Sequence, residues 1–175
     1  MPITPDTKDW TWVLQRPCPD CGFAAAALDR TAYGERARAI AAAWREVLAR
    51  DDVHERPNDE TWSPLEYGCH VRDVFRICDG RLELMLREAG PTFPNWDQDA
   101  TAIEDRYSEQ QPARVADELA EWADRFADRY DRVDTTQWQR TGTRSDGARF
   151  TVESFGRYVI HDPMHHLWDV DINRT

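Results

Sequence analysis

Five histidines stand at positions 54, 70, 161, 165 and 166, and three of them crowd into the stretch YVIHDPMHHLWDV, residues 158–170. His161 and His165 are four residues apart, which puts them one turn apart on the same side of a helix. At 100° per residue, Ser154, Tyr158 and Trp168 share that side, and Ile160, Met164 and Leu167 complete an apolar arc. The pair is therefore expected to face inward, with Asp162, His166 and Asp169 turned toward the edge and His166 outside the ligand set. Two imidazoles at this spacing can present nitrogens to one ion. The zinc-protease motif H-E-x-x-H does not apply, because Asp162 and Pro163 follow His161. Pro163 removes a backbone bond to Val159 and predicts a kink between the two histidines.

A metal ion needs a third ligand, and His70 is the natural candidate. It lies on the stripe His70, Val74, Ile77, which is otherwise apolar. His54, in RDDVHERPND, reads as a solvated helix end or loop. Three imidazoles would leave a coordination position open for water or substrate, the arrangement of catalytic rather than structural sites.

The cysteines stand at 18, 21, 69 and 78. Cys18-Pro-Asp-Cys21 has the spacing of half a zinc site or of a redox pair, but a structural zinc site needs two more ligands. No second C-x-x-C exists and the H-x-x-x-H pair is already engaged, so a turn carrying two ordinary thiols is expected. Cys69 and Cys78, nine residues apart on one helix, point about 180° from one another and cannot complete it together. With no export signal in MPITPDTKDW, thiols in a reducing, cytoplasmic setting are expected rather than a disulfide framework.

The elements that must carry these residues are helical. RTAYGERARAIAAAWREVLARDD places Ala37, Ile40, Trp44, Val47 and Leu48 at spacings of three and four. In WSPLEYGCHVRDVFRICDGRLELMLREAG, Ser63 is an N-cap, Pro64 suits the first helical position and Glu66 completes a capping box. Trp62 and Tyr67 form a hydrophobic staple, and Gly90-Pro91 supplies the stop. Close packing is the expected reason for Gly68 and Gly80 inside this helix. A third helix, PARVADELAEWADRFADRYDRV, runs an apolar stripe through Val115, Leu119, Trp122 and Phe126. WQRTGTRSDGARFT offers two short strands around Asp146-Gly147, and the last helix runs from about Thr151 to Val170. The fold class is all-α, an up-and-down-type four-helix bundle in one domain over residues 1–175. Residues 1–29 form an extended, proline-rich arm, docked through Trp10 and Trp12, and residues 30–171 form the bundle.

A net charge of −11 with a single lysine, Lys8, argues against nucleic acid, which selects for basic surfaces. No apolar run is long enough to span a membrane.

The histidine in the second helix together with H-x-x-x-H in the fourth resembles the DinB/YfiT superfamily of metal-binding four-helix bundles. W-S-P-x-E-x-x-x-H and H-D-x-x-H-H-x-W-D-V carry the likeness, which extends from Thr31 to Asp171. It implies a metal triad of His70, His161 and His165 holding zinc, nickel or another divalent transition ion. The superfamily includes transferases that use low-molecular-weight thiols such as mycothiol and bacillithiol, so the resemblance implies S-transfer to, or detoxification of, a small-molecule electrophile. Metal-activated water, hence hydrolysis, and a non-catalytic metal-binding or stress-response bundle stay open beside it. Glu66, Asp162 and Asp169 are candidate partners for the second imidazole nitrogens. Tyr158, Trp168 and Arg72 are candidate substrate contacts, and bundles of this kind often pair into homodimers through helix faces.

Overall fold

The structure, a computed structural model, describes residues 9–172. Pro2 and Pro5 of the arm lie outside the described residues. Four long helices make the bundle: α1 (Tyr33–Leu48), α2 (Pro64–Arg87), α4 (Pro112–Asp131) and α5 (Val152–Ile172). A short helix, α3 (Gln98–Glu104), lies in the connection from α2 to α4. Around the bundle the order is α1, α4, α2, α5, so the chain neighbours α1 and α2 face each other across the diagonal. The long stretches between helices make such crossings possible.

Local signals explain the helix ends. The Ser63 hydroxyl accepts from the Glu66 N–H (3.3 Å), and the Glu66 carboxylate accepts from the Ser63 N–H (2.9 Å). Trp62 and Tyr67 meet edge to face with ring centroids 5.5 Å apart, closing the staple. Trp44, Phe75, Leu82, Leu119, Phe126 and Phe155 are fully buried between the helices. A Cβ at Gly68 would sit 2.6 Å from Leu48, so the helices close up where it lies. The same explanation fails for Gly80, where a Cβ would meet nothing within 4 Å.

The hairpin forms as the Asp146-Gly147 signal predicts, β2 (Thr141–Arg144) pairing antiparallel with β3 (Arg149–Thr151), and Gly147 adopts φ +96°. A further strand, β1 (Thr92–Phe93), joins β2 in parallel, and no sequence signal announced it. This small sheet carries Arg144 to the side of α5 that holds Tyr158, and the two side chains bond at 3.0 Å.

The N-terminal segment is not extended over its described residues. It winds through 3₁₀ turns at Trp10–Leu14 and Ala25–Ala27, separated by a tight turn at Cys18–Gly22. It docks on α5, with the Trp10 ring 5.6 Å from His161 and 5.0 Å from His165. α5 itself runs unbroken through Pro163, whose carbonyl accepts from Trp44 Nε1 at 3.2 Å.

Candidate metal centre

The well-capped α2 carries His70 into the bundle, where it is 1 % exposed. Its ring stacks on Trp96 (centroids 5.3 Å, planes 7° apart) and tilts against Trp62 at 5.5 Å. These two indoles fix the ring plane. His70 Nε2 lies 3.2 Å from Asp162 Oδ1, on the facing helix α5. One turn further along α5, the His166 ring meets the His70 ring edge to face at 4.9 Å.

The expected triad is therefore divided. One nitrogen each from His70 and His166 and one oxygen from Asp162 lie within 4.8 Å of one another. His161 and His165 gather instead with Cys18 and Cys21, again with ligand atoms all within 4.8 Å. Among the described residues His70 shares no such group with His161 and His165, and His166, expected to turn away, turns toward His70. The physical reason is one of register. Asp162/His166 and His161/His165 are both i,i+4 pairs, offset by one residue and hence by about 100° around the helix. α5 turns the first pair toward α2 and the second toward the N-terminal segment. The expectation that no H-x-x-x-H remained for the two cysteines is overturned by the same rotation.

Asp169, expected behind one of the triad histidines, bonds His166 instead. Its Oδ2 lies 2.8 Å from His166 Nδ1, so the imidazole donates there and keeps Nε2 for the other side, 3.7 Å from Asp162 Oδ1. Glu66 does not reach His70. It is held by the Arg56 guanidinium (Nε at 2.8 Å) and the Ser63 cap, and although burial opposes its charge, these partners lower its pKa. Arg72 is also drawn away, bonding Asp73, Gln110 and Glu118, and does not line the cavity described below. Trp168 packs on His165, centroids 5.5 Å apart.

A cavity of about 640 Å³ opens beside these residues, walled by Trp96, Tyr158, Asp162, His166, Arg81 and Arg144 among others. Tyr158, one of the candidate substrate contacts, lines this cavity. Its hydroxyl accepts from Arg144, leaving its proton to donate elsewhere. Arg144 is in turn gripped by Asp146 (Nε to Oδ2, 2.9 Å).

The electrostatics favour the metal-binding forms of Asp162, His161 and His165, but not of Cys21. Burial resists the charge on Asp162, but the imidazoles of His70 and His166 outweigh it and hold the carboxyl well below its usual range. Burial, reinforced by neighbouring His165, pushes the His161 pKa down to about 4, and burial also lowers His165. The Cys21 thiol is pushed up to about 11, first by burial. Buried nitrogens without a hydrogen-bond partner remain at His70 Nδ1 and His161 Nε2.

Two imidazoles and a carboxylate, with a supporting carboxylate behind one imidazole, fit a divalent transition ion. Zinc sites of the His₂-carboxylate type and facial triads share this donor set. The sequence analysis, weighing histidine against histidine, took Asp162 as a partner behind a ligand, whereas the structure groups it with His70 and His166. The D-x-x-x-H spacing was the available signal.

The family profile described as the DinB superfamily matches residues 33–170. No match was found among curated proteins. Among solved structures, the chain is similar to YfiT from Bacillus subtilis, described as a probable metal-dependent hydrolase with an unusual four-helix bundle topology. The two share 19% identity over 82% of this chain and 85% of that one, with a TM-score of 0.74, which speaks to the fold.

Proposed function

The chain belongs to the DinB superfamily, and from that premise we propose that it is a metal-dependent enzyme centred on His70, Asp162 and His166, in which a low-molecular-weight thiol attacks a small electrophile. The observation that carries this reading is the gathering of these three side chains from two facing helices, with Asp162 and His166 lining a cavity of about 640 Å³. When bound, zinc or nickel supplies the Lewis acidity that brings the pKa of a thiol or water toward neutrality. The chain's own residues do the rest. Asp169 holds the proton on His166 Nδ1 and so presents Nε2. Trp62 and Trp96 clamp the His70 ring, and their bulk keeps bulk water from it. Tyr158 can donate its hydroxyl proton to a bound substrate, while Arg81 and Arg144 in the wall suit a substrate or thiol that carries a carboxylate.

Three protein ligands leave room for a nucleophile, which separates this cluster from a closed structural site. The preference for a thiol rests on the superfamily resemblance. Hydrolysis is the second reading, favoured by the description of YfiT as a probable metal-dependent hydrolase.

One experiment separates them. Protein loaded with zinc or nickel is offered small electrophiles with and without a panel of low-molecular-weight thiols, and small esters and amides without thiol. Metal-dependent thiol consumption supports S-transfer. Hydrolysis that ignores thiols transfers the assignment to a hydrolase, and a metal-loaded protein inert in both assays rules out the enzyme reading.

A further inference from the structure

We propose that Cys18, Cys21, His161 and His165 hold a zinc ion of their own, a closed four-ligand site that fastens the N-terminal segment to α5. It is independent of the reading of the His70 cluster, since it shares no ligand with it.

Four lines of geometry converge. The donor set is Cys₂His₂, with spacings C-x₂-C and H-x₃-H, which are those of structural zinc sites. All four ligand atoms lie within 4.8 Å of one another although Cys21 and His161 are 140 positions apart in the chain. A tetrahedral zinc ion with bonds of about 2.3 Å to sulfur and 2.05 Å to nitrogen separates those atoms by roughly 3.6 Å. Cys18 Sγ and His165 Nδ1 stand 3.6 Å apart. Finally, His161 Nε2 is buried with no hydrogen-bond partner, a cost that an ion would remove.

The surroundings are those of a built site. Cys18 is 1 % exposed, His161 3 % and His165 8 %. Trp10 and Phe23 cover His161 with ring centroids at 5.6 and 5.5 Å. The cysteine turn is shaped from within: the Gly22 N–H donates to the Cys18 carbonyl (3.0 Å) and the Cys18 N–H to the Phe23 carbonyl (2.8 Å). Gly22 sits at φ +73°, a conformation that a side chain would strain, and it lets the chain double back beside Cys21. With four protein ligands the ion has no open position, so its work is mechanical. It holds Asp9 and Trp10, which line the cavity, against the helix that carries Asp162 and His166.

The test uses full-length, untagged protein. Elemental analysis should find a zinc equivalent that the double variant Cys18→Ser/Cys21→Ser lacks and that the variant His70→Ala/Asp162→Ala keeps. Cobalt substitution should give a thiolate-to-cobalt charge-transfer band in the wild type and in His70→Ala/Asp162→Ala, absent from the cysteine variant. Zinc content unchanged by the cysteine variant, or cobalt binding without a thiolate band, overturns the proposal. Should the cysteine variant fail to fold, alkylation of the wild type decides. Cys18 and Cys21 should resist alkylation until a strong chelator is added, with rates rising at least tenfold. Equal rates with and without chelator, or a Cys18–Cys21 disulfide seen by mass spectrometry of freshly isolated protein, also overturn it. Wild-type protein that carries this zinc but takes up no ion at the His70 cluster would sink the enzyme reading and leave this one standing.

Discussion

His165 and His166 are adjacent in the chain and serve different clusters: Nδ1 of His165 stands 3.6 Å from Cys18 Sγ, while Nδ1 of His166 bonds Asp169 at 2.8 Å and its ring meets His70 at 4.9 Å. One helix thus presents two ligand pairs, rotated by a single residue, to two different parts of the chain. The rotation makes neighbouring substitutions separable in their effects.

His166→Ala should abolish metal-dependent turnover and remove the ion of the cavity while leaving the thiolate-to-cobalt band intact. His165→Ala should weaken that band and leave the cavity ion in place. Metal analysis and cobalt spectra on the two variants check both halves.

Asp169→Asn should weaken the cavity ion rather than the fold. Removing a carboxylate that orients a metal-bound imidazole costs roughly 10–100-fold in metal affinity or activity. Competitive titration with a chromophoric chelator measures the loss, and circular dichroism should show an unchanged helix content.

Asp73→Asn addresses stability and its pH dependence. Asp73 accepts from Tyr107 (2.6 Å), Arg72 (3.0 Å) and Arg76 (2.9 Å) while almost fully buried. Burial works against its charge, but Arg72 and Tyr107 prevail and its pKa lies below the ordinary value. A depressed folded pKa means stability present above the unfolded value of about 4 and lost as pH falls below it. The variant should be destabilised by about 3 kcal/mol at pH 7, from the broken buried ion pair. In denaturant titrations the gap to wild type should stay level from pH 8 to pH 5 and narrow below pH 4.

Gly156→Ala should lower the melting temperature although alanine favours helix. A Cβ there would stand 2.4 Å from the Tyr33 ring and 2.9 Å from Tyr130. Both rings are buried, and their hydroxyls are tied to the Glu153 and Val152 carbonyls. Overpacking of this kind costs roughly 1–3 kcal/mol, against about 1 kcal/mol gained in helix propensity. A variant melting at or above the wild type would show that the rings can move aside.

Much of the scaffold was legible beforehand because its signals are local. Ser63, Pro64 and Glu66 start α2 by hydrogen bonds within one turn, and Asp146-Gly147 turns the hairpin by backbone geometry alone. Apolar stripes of helical period mark α1 and α4. β1, by contrast, has two residues and exists only because β2 offers it an edge. The diagonal placement of α1 and α2 left no trace in either helix.

The sequence by itself determined that α5 is a helix carrying histidines at i,i+4 spacing and that His70 lies on an inward stripe of α2. It also determined the family. Only the tertiary structure decided which histidine works with which partner. Spacing along a helix specifies relative angle, and the absolute rotation of α5 is set by what it packs against. Trp44 bonded to the Pro163 carbonyl, Tyr33 seated against Gly156 and the cysteine turn folded over His161 and His165 set that rotation together. A turn of about 100° is one residue of sequence, and it is the difference between a single three-histidine site and two distinct clusters.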